Sequence, residues 1–584
     1  MVDKIQEFIR VPKPHILLTT VCRPFSGHGE GDSVGAELFH AQVTREQGIF
    51  SYRQVIRCWA LDYIAENIEA PSVSLHYPSE REFIRELKNR RYDYIGINFV
   101  VATYHKVKKM TRFIRRHAPG AKIILGGYGT VLSDEELSPY GDLICREEGI
   151  EYMRRLLGEK TDTPIVHPYA PVESPRIYSF PLKTKVAHIT GGLGCPNGCD
   201  FCCTSHFFKR KYIPFVKSGK EMYNLILDME KHAEKAGDEL SGFILIDEDF
   251  FLHEKRAREF LQCVREGGKP LSIMGFGSVR GLSKFTPDEI AEMGFDILWT
   301  ALEGTESNFN KLKGKSLSEL YSSLKSRGVA LLSSMIIGFP YQDRAKIMEE
   351  FRMITDLGPS LWQVLIYFAF PGTPLHKQMV EESRYLPEYR NNPDYRTFDG
   401  FSMHFSHPHF TAAELKEMQS ELYRKNFETL GPSILRVVNV WFKGYRNLKD
   451  SSNPLLSGRA ERMKEYVRSA IPAMYPAMIL GPNKERRTEA RKLFHEIIQE
   501  TGGISMKERL FGLATLPLAG WTWLTTKLNI LQQPKLLRVE YPATPAYRPE
   551  SKTVDLKSVL PATIPDTGST CPICSCAVES EKAE

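Results

Sequence analysis

Strand-like and helix-like patterns alternate twice along this chain, and that rhythm leaves few folds open to it. In the first stretch, Ile16-Leu17-Leu18, Ser72-Val73-Ser74-Leu75-His76, Tyr94 to Val100 and Ile123-Ile124-Leu125 read as strands. Between them Val55, Ile56, Trp59, Tyr63 and Ile64, then Val107, Met110 and Ile114, recur at helical spacing. This alternation predicts a parallel, doubly wound, Rossmann-like sheet over residues 1–160, with any ligand bound at the strands' carboxyl ends. A Pro-containing stretch over 161–182 reads as a linker. The rhythm restarts over 183–400, with strands at Lys185 to Thr190, Phe243 to Ile246, Ser272 to Phe276, Asp296 to Leu302, Val329 to Ile337 and Leu361 to Phe368. Six such β/α units are too few for a closed eight-unit barrel and predict a partial, open (β/α)6 barrel of the TIM type. After Phe410 the strand pattern stops. Thr411 and Glu414 carry a capping-box signature, and a helical region is expected over 401–540. A Pro-, Thr- and Ser-rich tail over 541–584 is expected to be mobile. The fold class is α/β with a helical C-terminal region.

Composition narrows the function. The 584 residues are 42% hydrophobic and 25% charged, the balance of an ordinary globular protein rather than a disordered, collagenous or coiled-coil one. With 77 basic against 71 acidic side chains, the net charge of +6 is too small to make nucleic acid the expected partner. The basic face formed by Lys106, Lys108, Lys109, Arg112, Arg115 and Arg116 reads as a solvated helix surface. No apolar run reaches the ~18 residues of a membrane span, and Met1 to Glu7 lacks the apolar core of a signal peptide. The expected compartment is a reducing cytoplasm. The 11 cysteines are unevenly spread: four lie between Cys195 and Cys203, three between Cys571 and Cys576, and Cys22, Cys58, Cys145 and Cys263 stand alone. Tight clusters in a long chain point to metal or redox chemistry rather than to a disulfide framework.

The sequence Gly194-Cys195-Pro196-Asn197-Gly198-Cys199-Asp200-Phe201-Cys202-Cys203 contains Cys-x3-Cys-x2-Cys directly after a strand. Three thiolates so close suit three corners of a [4Fe–4S] cube. Zinc would want four ligands in tetrahedral array, usually as two separated pairs, which this spacing fits poorly. Cys203 reads as a small buried thiol. On this motif, with Phe201 before its third cysteine, the chain resembles the radical S-adenosylmethionine (SAM) superfamily. The resemblance implies that the open fourth iron chelates the amino and carboxylate groups of SAM. One electron from the cluster then cleaves the sulfonium to a 5′-deoxyadenosyl radical.

The likeness continues through the second stretch. Asp247-Glu248-Asp249 ends the second strand, where the family sets polar residues against the SAM amino group. Ser278 and Arg280 after the third strand, and Glu303 at the end of the fourth, match positions lining the SAM pocket. Met335-Ile336-Ile337-Gly338-Phe339-Pro340 resembles the motif that supports the adenine. Packing or surface roles for these residues stay open. Phe370-Pro371-Gly372-Thr373-Pro374-Leu375 resembles a turn of the subgroup with an N-terminal cobalamin-binding domain. Residues 12–157 resemble that domain, Gly126-Gly127-Tyr128-Gly129-Thr130 matching its loop toward the corrin tail and Asp142 to Gly149 its last strand and turn. The Asp-x-His-x-x-Gly motif that supplies a histidine to cobalt is absent, and His28 is the histidine in the matching loop.

The resemblance implies a [4Fe–4S] cluster, SAM and cobalamin as cofactors. It also implies an electron donor such as flavodoxin or ferredoxin. Methyl transfer to an unactivated carbon is the first expectation. Cobalamin-free rearrangement, coupling or reduction is the alternative, as is a non-catalytic cobalamin or metal sensor. Two features remain. Cys571, Cys574 and Cys576 form a three-thiol set in the tail, read as an incidental metal site or an auxiliary-cluster site. Leu510 to Leu524 is nearly all apolar and contains Pro517, Trp521 and Trp523. It reads either as a buried core helix or, over Leu510 to Leu531, as a peripheral membrane contact serving a hydrophobic, lipid-like small-molecule substrate.

Overall fold

The strand Ile16–Thr20 (β1) is buried at every position, as a strand must be when helices cover both faces of a parallel sheet. The computed structural model describes residues 13–25 and 43–543, except 55, 179–183, 308, 391–392, 529 and 531–532. His28, the tail cysteines Cys571, Cys574 and Cys576, and the tail beyond residue 543 lie outside the described residues. β1 pairs in parallel with Ser72–His76 (β2) on one side and Tyr94–Asn98 (β3) on the other. Lys122–Gly126 (β4) and Leu143–Ile144 (β5) extend the sheet beyond β3. Chain order therefore reverses between β1 and β3, and strands on either side send their crossover helices to opposite faces. That divergence opens a crevice at the carboxyl ends. β2 alternates polar and apolar residues, yet all five of its positions are buried. Neighbouring strands flank β2 on both sides, and its buried His76 is met by Asp62 at 3.2 Å, which also pairs with Arg57.

The second sheet begins where the linker is expected. Val172–Glu173 (β6) lies antiparallel on the edge of Lys185–Thr190 (β7), and a small hairpin of Gly192–Leu193 (β8) and Ile213–Pro214 (β9) follows. Leu240–Ile246 (β10), Ile273–Phe276 (β11), Phe295–Ala301 (β12), Ala330–Ile337 (β13) and Leu361–Ile366 (β14) then pair in sequence, each parallel to the last. With β10 beside β7, the result among the described residues is a curled, seven-stranded half-barrel that does not close. Trp59 from the first α/β stretch stacks on His188 of β7 at 3.7 Å, and the Tyr63 hydroxyl accepts from the Thr190 backbone N–H. Those contacts join the two sheets.

Helices Ala412–Leu430, Ser433–Leu448, Pro454–Leu480, Lys484–Glu500 and Met506–Lys527 form the C-terminal region, and the expected Thr411–Glu414 capping box closes the first of them. No helix among the described residues is long and apolar enough to cross a membrane. Two expectations need correction. Strand pattern was expected to end at Phe410, but Leu537–Tyr541 (β15) returns to pair antiparallel with β2, and the Tyr541 hydroxyl donates to Asp62 at 2.8 Å. Its partner lies more than 400 residues earlier, so no local pattern announces the pairing. The core-helix reading of the apolar stretch also fails. Met506–Lys527 buries Gly512, Thr515, Ala519, Thr522 and Thr525, packs Leu518 partly against the core, and leaves most of its larger apolar side chains outside.

One ion pair fastens the helical region to the half-barrel. Arg459 is 2% exposed; it binds Asp296 of β12 at 2.7 Å and donates to the Phe295 carbonyl at 2.7 Å. Asp296→Ala leaves a buried guanidinium without its counter-charge, which typically costs about 3–5 kcal/mol. Urea unfolding should show that loss, and a change below about 1 kcal/mol would mean that the backbone carbonyls alone satisfy Arg459.

Candidate active site

β7 delivers the chain to a loop that the hairpin β8–β9 pinches shut. Gly194 holds φ +82°, and a Cβ there would collide with the Lys211 carbonyl oxygen, so the residue before the first cysteine has to be glycine. The short helix Cys203–Phe207 then fixes the loop from within. The Ser205 hydroxyl donates to the Cys195 carbonyl at 2.7 Å and accepts from the Gly198 N–H at 3.0 Å. His206 lies 3.0 Å from the Cys199 carbonyl. Asn197 ties the loop to the neighbouring strand ends, accepting from Arg280 at 2.9 Å and bonding the Asp249 carboxyl.

Cys195, Cys199 and Cys202 share one microenvironment, since Cys199 feels the charge of Cys195, and Cys202 that of Cys199. Burial pushes Cys199 up to about 11 and Cys202 up to about 12, despite Lys311, which pulls both down. Such thiols become thiolates only when a cation binds them, the coupling expected of metal ligands. Among the described residues no three His, Cys, Asp or Glu side chains converge as they would on a single ion. A cube gives each thiolate its own iron, so an all-sulfur set of three, spread along one loop, suits it better than zinc.

The other expected residues divide into two groups. Asp247 is fully buried, accepts from the Tyr212 hydroxyl at 2.9 Å, and forms a close ion pair with Arg256. Ser278 accepts from the Gly281 N–H at 3.0 Å and caps a short helix. The Gly338 N–H donates to Gln342 at 2.7 Å inside its own turn. These three are engaged in holding the strand ends. Glu248 and Glu303 differ. Glu248 keeps some exposure to solvent at the end of its strand, and the protein crowded around it together with Asp247 raises its carboxyl to about 7. Glu303 forms a close ion pair with Lys311. Lys311 donates to the Cys199 thiol and lies 5.8 Å from the centre of the Phe201 ring. Burial opposes its charge, but the Glu303 carboxylate is the main influence that keeps the ammonium protonated.

The first sheet meets this loop directly. Gly127 holds φ +89° after β4 and turns the chain so that Tyr128 faces Phe207 at 5.2 Å and bonds Thr204. At Gly126 a Cβ would meet nothing within 4 Å, so the crevice is open there. The turn after β14 closes a third side. Leu375 N–H donates to the Asp200 carbonyl at 3.2 Å, Tyr367 donates to the Asp200 carboxylate at 2.9 Å, and Gly372 packs on Val131. Lys311, Asn197 and Tyr128 were not singled out as site residues from sequence. Asn197 and Tyr128 lie inside the cysteine and glycine motifs, where the cysteines and glycines carry the signal, and Lys311 is a lone lysine with no spacing to mark it.

No family model matches the chain. It is 23% identical over 236 residues to an uncharacterized methyltransferase of Pyrococcus horikoshii, covering 39% of this chain and 49% of that protein. It is 24% identical over 238 residues to the bacteriochlorophyllide d C-8(2)-methyltransferase of Chlorobaculum tepidum, covering 37% of this chain and 51% of that protein. The chain thus spans about half the length of these two relatives. The bacteriochlorophyllide d C-12(1)-methyltransferase of the same organism is 21% identical over 387 residues, covering 60% of this chain and 80% of that protein. Among solved structures, the radical S-adenosylmethionine methyltransferase TsrM of Kitasatospora setae, with cobalamin and a [4Fe–4S] cluster bound, is similar with a TM-score of 0.47 and 12% identity. That match covers 78% of this chain and all of that one.

Glu248 makes a pH prediction for the cluster-free protein. Its folded carboxyl titrates near 7 against an ordinary value of 4.5, so the folded state holds more protons than the unfolded state between those values. Stability contributed at this position therefore falls as pH rises through that window. Glu248→Gln should gain melting temperature on the wild type between about pH 5 and pH 8. A difference that stays constant over that range would show an ordinary carboxylate.

Proposed function

We propose that this chain is a radical SAM enzyme that methylates a carbon of a small hydrophobic molecule, with a [4Fe–4S] cluster on Cys195, Cys199 and Cys202 and cobalamin in the crevice of the first sheet. The observation that carries this reading is the meeting of the two carboxyl-end rims. The cysteine loop after β7 and the glycine turn after β4 touch through Tyr128 and Phe207, so chemistry begun at one can be completed at the other. The relatives named as methyltransferases support methyl transfer as the outcome. When bound, the cluster supplies the electron that cleaves SAM, and cobalamin supplies a carrier for the methyl group.

The chain's own residues do the rest. Ser205, His206 and Asn197 hold the thiol-bearing loop in one shape. Lys311 sets a fixed positive charge beside the sulfurs, and Glu303 steadies that charge. Phe201, Phe309, Phe339 and Tyr367 form a continuous aromatic wall, with ring centres 5.6 Å apart for Phe201–Phe309 and 4.4 Å for Phe339–Tyr367. Such a wall keeps water from a reactive centre and favours an apolar substrate. Glu248, solvent-accessible and raised to about 7, can accept or release a proton near neutral pH. No cobalt ligand is assigned, because His28 lies outside the described residues. A small electron donor such as flavodoxin or ferredoxin completes the system.

The test is anaerobic reconstitution with iron and sulfide, then cobalamin, SAM and a reductant. The proposal expects roughly four irons per chain, as one cube requires, a corrinoid spectrum that co-elutes with the protein, and 5′-deoxyadenosine or methyl transfer that consumes SAM. Cys199→Ala should remove both iron and SAM cleavage. Ser205→Ala, which only loosens the loop, should keep the cluster and lose roughly 10–100-fold in activity. Cluster binding without cobalamin would redirect the reading to cobalamin-free radical chemistry. Cofactor binding without SAM consumption would make the chain a sensor, and an iron-free, zinc-bound protein would overturn the cluster.

A further inference from the structure

The helix Met506–Lys527 is amphipathic in reverse. The side chains it buries in the protein are small or hydroxyl-bearing, with Leu518 packing partly against the core beside them: Thr515 donates to the Pro472 carbonyl at 2.9 Å, and Gly512 lies against the Tyr475 ring. The residues turned away are large and apolar. Met506, Leu510, Leu513, Trp521, Leu524 and Leu528 follow helical spacing along one stripe, and they are 39–69% exposed. Trp523, 55% exposed, flanks the stripe with Lys527 packed over its ring at 4.9 Å. A water-facing helix selected only for solubility would carry charge on this face. An apolar stripe of this length marks a surface that something covers.

Charge identifies what covers it. The exposed charges on the helix are Lys507, Arg509 and Lys527, at its two ends. Its one acid, Glu508, turns inward to Arg468 at 2.7 Å. An apolar stripe ended by cations and bordered by two indoles has the chemistry of a helix lying in the headgroup layer of an anionic membrane. The inner face is pinned to the body of the protein, so the helix can only rest on the bilayer.

We propose that Met506–Lys527 is a docking surface for an anionic lipid bilayer, lying flat with the Leu510–Leu513–Leu524–Leu528 stripe in the headgroup region. This goes beyond the chemistry proposed for the cysteine loop and does not rest on it, since no residue of the helix belongs to that site.

The experiment is flotation of the full chain, purified anaerobically, with phosphatidylcholine–phosphatidylglycerol vesicles and with pure phosphatidylcholine vesicles. The wild type should float with the anionic vesicles, less so with the neutral ones, and binding should weaken as salt is raised. Leu513→Glu with Leu524→Glu changes only exposed positions and should abolish flotation while leaving the melting temperature unchanged. Arg509→Gln with Lys527→Gln should lower the partition coefficient roughly fivefold per charge removed. Failure of the wild type to float would overturn the proposal. So would concentration-dependent dimerisation in sedimentation velocity that the glutamate variant abolishes, because the stripe would then be the contact between two copies of the chain.

Discussion

Parallel strand pairing is the constraint on which the rest of this molecule depends. Strands that run the same way deliver every carboxyl-end loop to one rim, and here two such rims face each other. β7 supplies the cysteine loop, β10 supplies Glu248, β12 supplies Glu303, and β4 supplies the Gly127–Tyr128 turn. None of these segments is near another in sequence. They become one site because a parallel sheet sorts its loops by end, whatever lies between them.

The buried charges near that site do two kinds of work. Asp247 with Arg256, and Asp296 with Arg459, are pairs in which each partner satisfies the other inside the protein, and they hold strand to helix. Glu303 with Lys311 is also a close pair, but the ammonium bonds Cys199 as well. A cation held next to two of the thiols, Cys199 and Cys202, offsets negative charge when they ionise. Two neighbouring carboxylates at the end of β10 therefore have opposite characters: Asp247 is locked to a guanidinium, whereas Glu248 has its charge disfavoured by burial and by Asp247 itself.

The C-terminal region connects with both ends of this arrangement. Arg459 anchors the long helix Pro454–Leu480 on β12, and that helix in turn carries the reversed amphipathic helix through Pro472 and Tyr475. The chain then returns as β15 to cover the edge of the first sheet, where an unpaired strand would invite association. One continuous load path thus runs from the half-barrel to the apolar outer helix and back to the first sheet.

Much of this was legible in the sequence by itself. Strand after strand of the second sheet, from Lys185–Thr190 to the pair at Ala330 and Leu361, lies within a few residues of its apolar run. Burial periodicity is a local property, and Cys-x3-Cys-x2-Cys is a local motif. Tertiary structure alone decided the matters that depend on where the chain returns. Leu-Arg-Val-Glu-Tyr becomes β15 only because β2 has a free edge. Lys311, Asn197 and Tyr128 become site residues only because three separate loops meet. Composition showed that residues 510–524 are apolar, but not which way they point. That was decided by the close approach of Gly512 and Thr515 to the helix carrying Pro472 and Tyr475, where small side chains fit and leucine or tryptophan does not.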